Sequence, residues 1–132
     1  NMVVDTVADC LTRIRNGVAV KKSQVEIPYS KIVLGIVSVL KDGGYIKSFE
    51  VKDGEKSFLK NIVVSFWYEP SSPISMLKQI SKPGSRVYAE AKKLPEVANG
   101  LGIAILSTSC GIISNKTAAK KNIGGEVLCH VF

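Results

Sequence analysis

Val7, Leu11, Ile14 and Val18 recur at i, i+4, i+7 and i+11, the spacing that draws one apolar stripe along a helix. Residues 5–20 are therefore predicted to form an amphipathic helix, capped by Thr6 or Asp5, with acidic Asp9 in its first turn. Turning by about 100° per residue groups Thr12, Arg13 and Asn16 with Asp9 on the outward side, flanked by Arg15. Alone, such a grouping is the ordinary solvated face of a helix. Residues 25–28 read as a short strand ended by Pro28. Ser30 caps a second helix over residues 31–42, with Ile32, Ile36, Val39 and Leu40 facing inward. Gly43-Gly44 stops it through a left-handed glycine, and Tyr45 or Ile46 packs back on the last turn. Two β-prone runs, residues 45–51 and 61–68, flank the hairpin signal Lys52-Asp53-Gly54-Glu55.

Glu69-Pro70-Ser71-Ser72-Pro73 reads as a linker, because two prolines and two serines cannot continue a sheet. Beyond it, residues 74–81 and 86–90 are predicted strands around Lys82-Pro83-Gly84-Ser85, whose Pro-Gly suits a type II turn. Residues 94–99 are expected to make about one helical turn before Gly100. A buried strand follows over residues 103–107, then a turn, Thr108-Ser109-Cys110-Gly111, and a short strand over 112–114. Residues 115–122 read as a basic helix capped by Ser114 or Asn115 and closed by Gly124-Gly125. Residues 127–131 form the last predicted strand. The expected fold class is α+β in two small lobes: an N-terminal αβαββ lobe over residues 1–69, and a C-terminal, mostly antiparallel β lobe with short helices over residues 70–132.

The 132-residue chain carries 18 Lys+Arg against 11 Asp+Glu, a net charge of +7. The excess is +3 in residues 1–66 and +4 in residues 67–132, so it is a property of both lobes. Such a balance attracts polyanions, nucleic acid or an acidic membrane surface. The longest apolar stretch, residues 32–40, is broken by Gly35 and Ser38 and is about half of a membrane span. Cys10, Cys110 and Cys129 are odd in number and lack a C-x-x-C spacing. With no secretory pattern in Asn1-Met2-Val3-Val4-Asp5, the expectation is a reducing, cytoplasmic location.

No catalytic set emerges. His130 is the only histidine, and its neighbour Cys129 points to the opposite face of a strand, so the two cannot share a metal. There is no triad, no H-E-x-x-H motif and no P-loop. No cofactor, metal or small-molecule substrate is expected. Two features point elsewhere. Ser107-Thr108-Ser109 puts three hydroxyls where a buried strand emerges, a placement suited to RNA and its ribose 2′-hydroxyls. Gly124-Gly125-Glu126 combines close backbone approach with an acid able to accept from a base amino group. Arg13, Arg15, Lys31, Lys82, Arg86 and Lys116 are candidate phosphate contacts.

In order along the chain stand Asp5-x-x-Ala8-Asp9-x-Leu11-Thr12-Arg13-Ile14-Arg15-Asn16, Pro28-Tyr29-Ser30-Lys31, Leu40-Lys41-x-Gly43-Gly44-Tyr45-Ile46, Ser81-Lys82-Pro83-Gly84-x-Arg86-Val87-Tyr88, Gly100-Leu101-Gly102-Ile103-Ala104, and Ser107-Thr108-Ser109-x-Gly111 through Ala118-Ala119 to Gly124-Gly125-Glu126-Val127. Taken together they resemble the bacterial family of small-subunit ribosomal protein eight, from about Asp5 to Val131. The resemblance implies a non-catalytic, two-lobed protein that binds the central domain of small-subunit ribosomal RNA early in assembly, beside neighbouring ribosomal proteins. It also implies a capacity to bind the protein's own operon messenger RNA. By position it assigns minor-groove contacts to Ser107, Thr108, Ser109, Gly124 and Glu126. It assigns backbone contacts to Thr12, Arg13, Asn16 and Lys31. Cys110 departs from the family, which often has lysine or another polar residue there, so no phosphate contact carries over to it. The competing reading is a free-standing RNA chaperone or a small enzyme using Cys110 or His130.

Overall fold

The computed structural model describes residues 5–54, 59–67 and 72–132. Helix α1 (Thr6–Ala19) starts at Asp5, whose carboxylate accepts from the Ala8 N–H at 3.0 Å. Val7, Leu11 and Ile14 are buried as the stripe requires, and Cys10 and Gly17 join them. Strand β1 (Gln24–Pro28) is followed by helix α2 (Lys31–Asp42), capped by the Ser30 hydroxyl on the Val33 N–H. Its burial is wider than the predicted stripe, since Val33 and Val37 are buried while Ile32 is half-buried. The reason is that α2 packs on both lobes: a Cβ at Gly35 would overlap Ile112 of the C-terminal sheet. The helix ends as expected, with Gly44 left-handed at φ 79 and the Tyr45 N–H donating to the Leu40 carbonyl.

That same bond holds Tyr45 on the helix, so strand β2 starts later than predicted and spans Ser48–Asp53. Strand β3 spans Lys60–Ser65 and sits between the other two, in the order β1-β3-β2, all antiparallel. Both ladders end at Ser65, which shortens the strand expected to reach residue 68. The predicted turn is displaced as well: Lys52 and Asp53 pair with Asn61 and Lys60, and the Gly54 N–H closes the loop on Leu59 O at 2.7 Å. Glu55 lies outside the described residues, as does most of the Glu69–Pro73 linker with the expected lobe boundary.

The second sheet runs β4 (Leu77–Gln79), β8 (Gly125–Val131), β6 (Ile103–Thr108), β7 (Gly111–Ser114), with β5 (Tyr88–Ala89) also on β8. β4 and β5 are shorter than the predicted strands. Between them, Lys82 and Ser85 exchange backbone hydrogen bonds around Gly84 at φ 90, as a type II turn needs. The expected helical turn over 94–99 does not form. Leu94 precedes Pro95 and is driven to ψ 142, leaving 3-10 turns at Ala91–Lys93 and Ala98–Gly100 on either side. Helix α3 (Asn115–Lys121) is capped by Ser114 and stopped by left-handed Asn122 at φ 53, so the glycine pair is not its stop signal. Gly125 and Glu126 belong instead to β8, which begins two residues before its predicted start.

One core joins the lobes. Leu11, Ile14, Ile36, Leu40 and Ile62 pack in the same cluster as Ile105, Leu128, Cys129 and Val131. Two polar ties reinforce it, Gln79 Nε2 to the Asp5 carboxylate at 2.7 Å and Arg15 Nη2 to the Leu77 carbonyl at 2.6 Å. A smaller core of Val97, Ala104, Leu106 and Val127 lies in the C-terminal lobe. The result is an α+β fold of two lobes with antiparallel sheets.

Candidate nucleic-acid interface

The β6–β7 hairpin follows from its residues. Thr108 pairs with Gly111, whose φ is 99, while Ser109 and Cys110 keep negative φ. This is the geometry of a turn followed by a glycine bulge. Thr108 Oγ1 donates to the Gly111 carbonyl at 2.8 Å and accepts from the Cys110 N–H at 3.1 Å. Its hydroxyl is thus spent on the turn, whereas Ser107 and Ser109 make no side-chain hydrogen bond among the described residues. Ser109 and Cys110 are exposed at the tip.

Ser107 pairs across the sheet with Glu126, and Glu126 with Tyr88. Directly opposed residues of neighbouring strands share a face, so the three side chains form one row across β6, β8 and β5. The glycines beside the row are fixed by backbone approach. A Cβ at Gly125 would strike the Ser107 carbonyl, and one at Gly124 the Ala89 carbonyl. Arg86 closes over the acid, Nη1 to Glu126 Oε2 at 3.1 Å. The segment between Arg86 and β5 is held by Ser81, whose buried hydroxyl both accepts from the Val87 N–H at 2.9 Å and donates to the Val87 carbonyl. Tyr88, 72% exposed, is the residue that sequence reasoning passed over. The signal available was an aromatic in a strand-forming run two residues beyond Arg86.

Lys31 reaches the same region. It lines with Ser38, Ser107, Gly111 and Ile112 an open groove of about 570 Å³ between α2 and the hairpin. Lys82 stands exposed on the turn that leads into Arg86. The remaining predicted residues lie apart. Lys116 donates to the Gly100 carbonyl at 3.1 Å and lines a neighbouring groove that also borders Ile112. Arg13 and Asn16 share a groove with Gln24 and Glu26 of β1, and Thr12 is exposed on the same helix. Arg13 is already engaged, with Asp9 at 2.9 Å and the Glu26 carbonyl at 3.2 Å. Arg15, expected at a phosphate, is the tie to Leu77 described above.

Burial pushes the thiols of Cys10 and Cys129 up to about 12, with lesser contributions from Asp9 and from Cys10 respectively. Burial, and then Lys78, lowers the pKa of His130 below its ordinary value. Cys110 is at the hairpin tip and His130 on β8, and no hydrogen bond joins them. Among the described residues no three His, Cys, Asp or Glu side chains converge as metal ligands, and no helix is long and apolar enough to cross a membrane.

Residues 5–132 match the family model described as ribosomal protein S8. The chain is 45% identical over 131 residues to "Small ribosomal subunit protein uS8" of Malacoplasma penetrans, covering 99% of this chain and 100% of that one. It is 47% identical to the protein of that name from Finegoldia magna with the same coverage, and 48% to that of Ruthia magnifica over 97% of each chain. Similarity at this level, running through both sheets and the hairpin that joins β6 to β7, settles the affiliation: the chain belongs to the ribosomal protein S8 family.

Proposed function

We propose that this protein is a structural constituent of the small ribosomal subunit that binds the central domain of the subunit's RNA directly and organises its assembly. The observation that carries the reading is the end-to-end match to proteins named for the small ribosomal subunit. The geometry supports it further. A rigid row of Ser107, Glu126 and Tyr88, with Thr108, Ser109 and Gly124 beside it, offers fixed donors and acceptors to a minor groove. Lys31, Lys82 and Arg86 border this face and supply phosphate contacts, while Thr12, Arg13, Asn16 and Lys116 extend the contact elsewhere on the surface. Neighbouring ribosomal proteins are partners, the location is the cytoplasmic ribosome, and the operon messenger RNA is a second ligand wherever it copies the ribosomal site.

The test is filter binding of the purified chain to a central-domain RNA fragment over a salt series. About six phosphate contacts weaken binding by roughly 10³-fold between about 50 and 200 mM salt. A flat salt response, or absence of the protein from small subunits on a sucrose gradient, overturns the proposal.

A further inference from the structure

Between the pairs Ile105–Cys129 and Leu106–Val127, β8 carries one extra residue, Leu128. A bulge of this kind re-aims the side chains around it. Here it sets His130, opposite Ala104, on the same face as Val127, opposite Leu106. That face is the one turned away from Glu126 and Ser107, because Glu126 and Val127 are successive residues of a strand. The half-buried imidazole borders a groove of about 440 Å³ together with Ile80, Val127, Pro95, Lys93 and Glu90, and Tyr88 of the neighbouring row lines its edge. That volume falls within the roughly 300–1,000 Å³ of small-ligand sites.

The groove is built rather than incidental. Asn115, buried, donates from Nδ2 to the Pro95 carbonyl at 2.9 Å and accepts at Oδ1 from the Ala104 N–H at 3.0 Å. It thereby fixes the wall of the groove to the strand beneath. The floor is apolar, from Ile80 and Val127. Lys93 and Glu90 are the charged groups that line the groove; Lys78, the cross-strand partner of His130, acts on the imidazole from beside it, and Lys92 precedes Lys93 on the same 3-10 turn.

We propose that this groove receives one unstacked RNA nucleotide, on the face of the C-terminal sheet that carries Val127 and His130, away from Ser107 and Glu126 and with Tyr88 at its edge. The inference rests on the RNA-binding reading above and extends it to a second face. A flat base suits the apolar floor, a phosphate suits the lysines, and a neutral imidazole offers one donor and one acceptor to a base edge. Burial and Lys78 both favour that neutral form. An apolar peptide would fill the floor but leave Lys93 and the nearby Lys78 without a phosphate and the imidazole without a base edge, so RNA is the better-matched occupant.

His130 is the only histidine in the chain, so its ring reports on this groove alone. The full chain is titrated with the central-domain fragment while the His130 ring resonances and its modification by diethyl pyrocarbonate are followed. Shifted resonances and protection from modification are expected. Lys93→Ala, on the exposed turn, is expected to reduce the salt slope by about one. His130→Ala, which removes the donor and acceptor offered to the base edge, is expected to weaken binding roughly 2- to 10-fold, the scale of one lost hydrogen bond. Binding of the fragment with His130 unmoved and Lys93→Ala without effect overturns the inference and leaves the RNA-binding reading standing. No binding at all overturns that reading first. Protection of His130 only in whole small subunits, and not by the fragment, assigns the groove to a neighbouring protein and also overturns it.

Discussion

Arg86 Nη1 meets Glu126 Oε2 at 3.1 Å, and the two side chains are unequally covered: Glu126 is 18% exposed and Arg86 54%. The carboxylate is therefore shielded by the guanidinium, which faces solvent. An acid within a basic surface would repel phosphate if it stood alone. Paired in this way it contributes little net repulsion, keeps its second oxygen as an acceptor, and leaves Arg86 further N–H groups to offer. Because the guanidinium is more than half exposed, solvent screens the pair and it adds less than about 1 kcal/mol to folding.

Glu126→Gln is accordingly expected to bind the central-domain fragment about ten-fold less tightly, the scale of one lost hydrogen bond to a charged group, and to discriminate less against a mutated site. Arg86→Ala removes a cation and uncovers the acid, so its loss is larger. The double variant should recover part of that loss, because the uncovered charge is gone. Filter binding of the four proteins at one salt concentration checks this cycle. Equal or tighter binding by Glu126→Gln places Glu126 off the interface.

The hairpin hydroxyls divide into two kinds. Ser107 and Ser109 are not used by the fold, so Ser107→Ala and Ser109→Ala should leave the melting temperature unchanged and each weaken RNA binding by about 1–3 kcal/mol. Thr108 holds both Gly111 and Cys110, so Thr108→Ala should lower stability by about 1 kcal/mol along with binding. Calorimetry and filter binding on the same three variants separate the roles. A drop in stability without a change in affinity for Ser107→Ala would make that residue structural.

Much of this architecture was legible in the sequence because it is local. The stripe of α1, the Ser30 cap and the Gly44 stop of α2 depend on residues within a few positions of one another. The departures arise where distant chain competes. β2 slips because Tyr45 is bonded to the helix. The glycine pair after α3 serves Ala89 and Ser107 instead of the helix end. For the site, the Ser107 loop and Glu126 were readable as motifs, but their adjacency is a β6–β8 pairing that no local pattern encodes. The same holds for Tyr88, which gains meaning only through its register with Glu126, and for Arg15, whose acceptor lies 62 residues away.

Gly125 offers a test of that long-range reading. A methyl group there meets the Ser107 carbonyl, a backbone atom fixed in its ladder, so neither partner can yield without breaking the pairing. Gly125→Ala should cost about 3 kcal/mol, at the upper end of ordinary substitutions, and lower the melting temperature by roughly 10 °C. Gly84→Ala is the control for open space, since nothing lies within 4 Å of its missing Cβ and only its φ of 90 is strained. Were Gly125→Ala as mild as this control, the close approach of β8 to β6 would be wrong.

The buried thiols are expected to set the alkaline limit of the fold. Cys10 and Cys129 have pKa values raised by burial from 9.0 to about 12, and burial also raises that of Tyr45. A raised acid pKa means that the folded chain keeps a proton which the unfolded chain releases. The associated stability is complete below about pH 9 and is lost as pH rises towards 12, by up to about 1.4 kcal/mol per pH unit for each thiol. Urea melts at intervals above pH 9 should show this decline, and Cys10→Ala with Cys129→Ala should flatten it. Native protein should take up iodoacetamide at Cys110 alone, because that thiol is exposed and the other two are not. An alkaline slope that the double variant leaves unchanged would mean that groups other than the thiols set the limit.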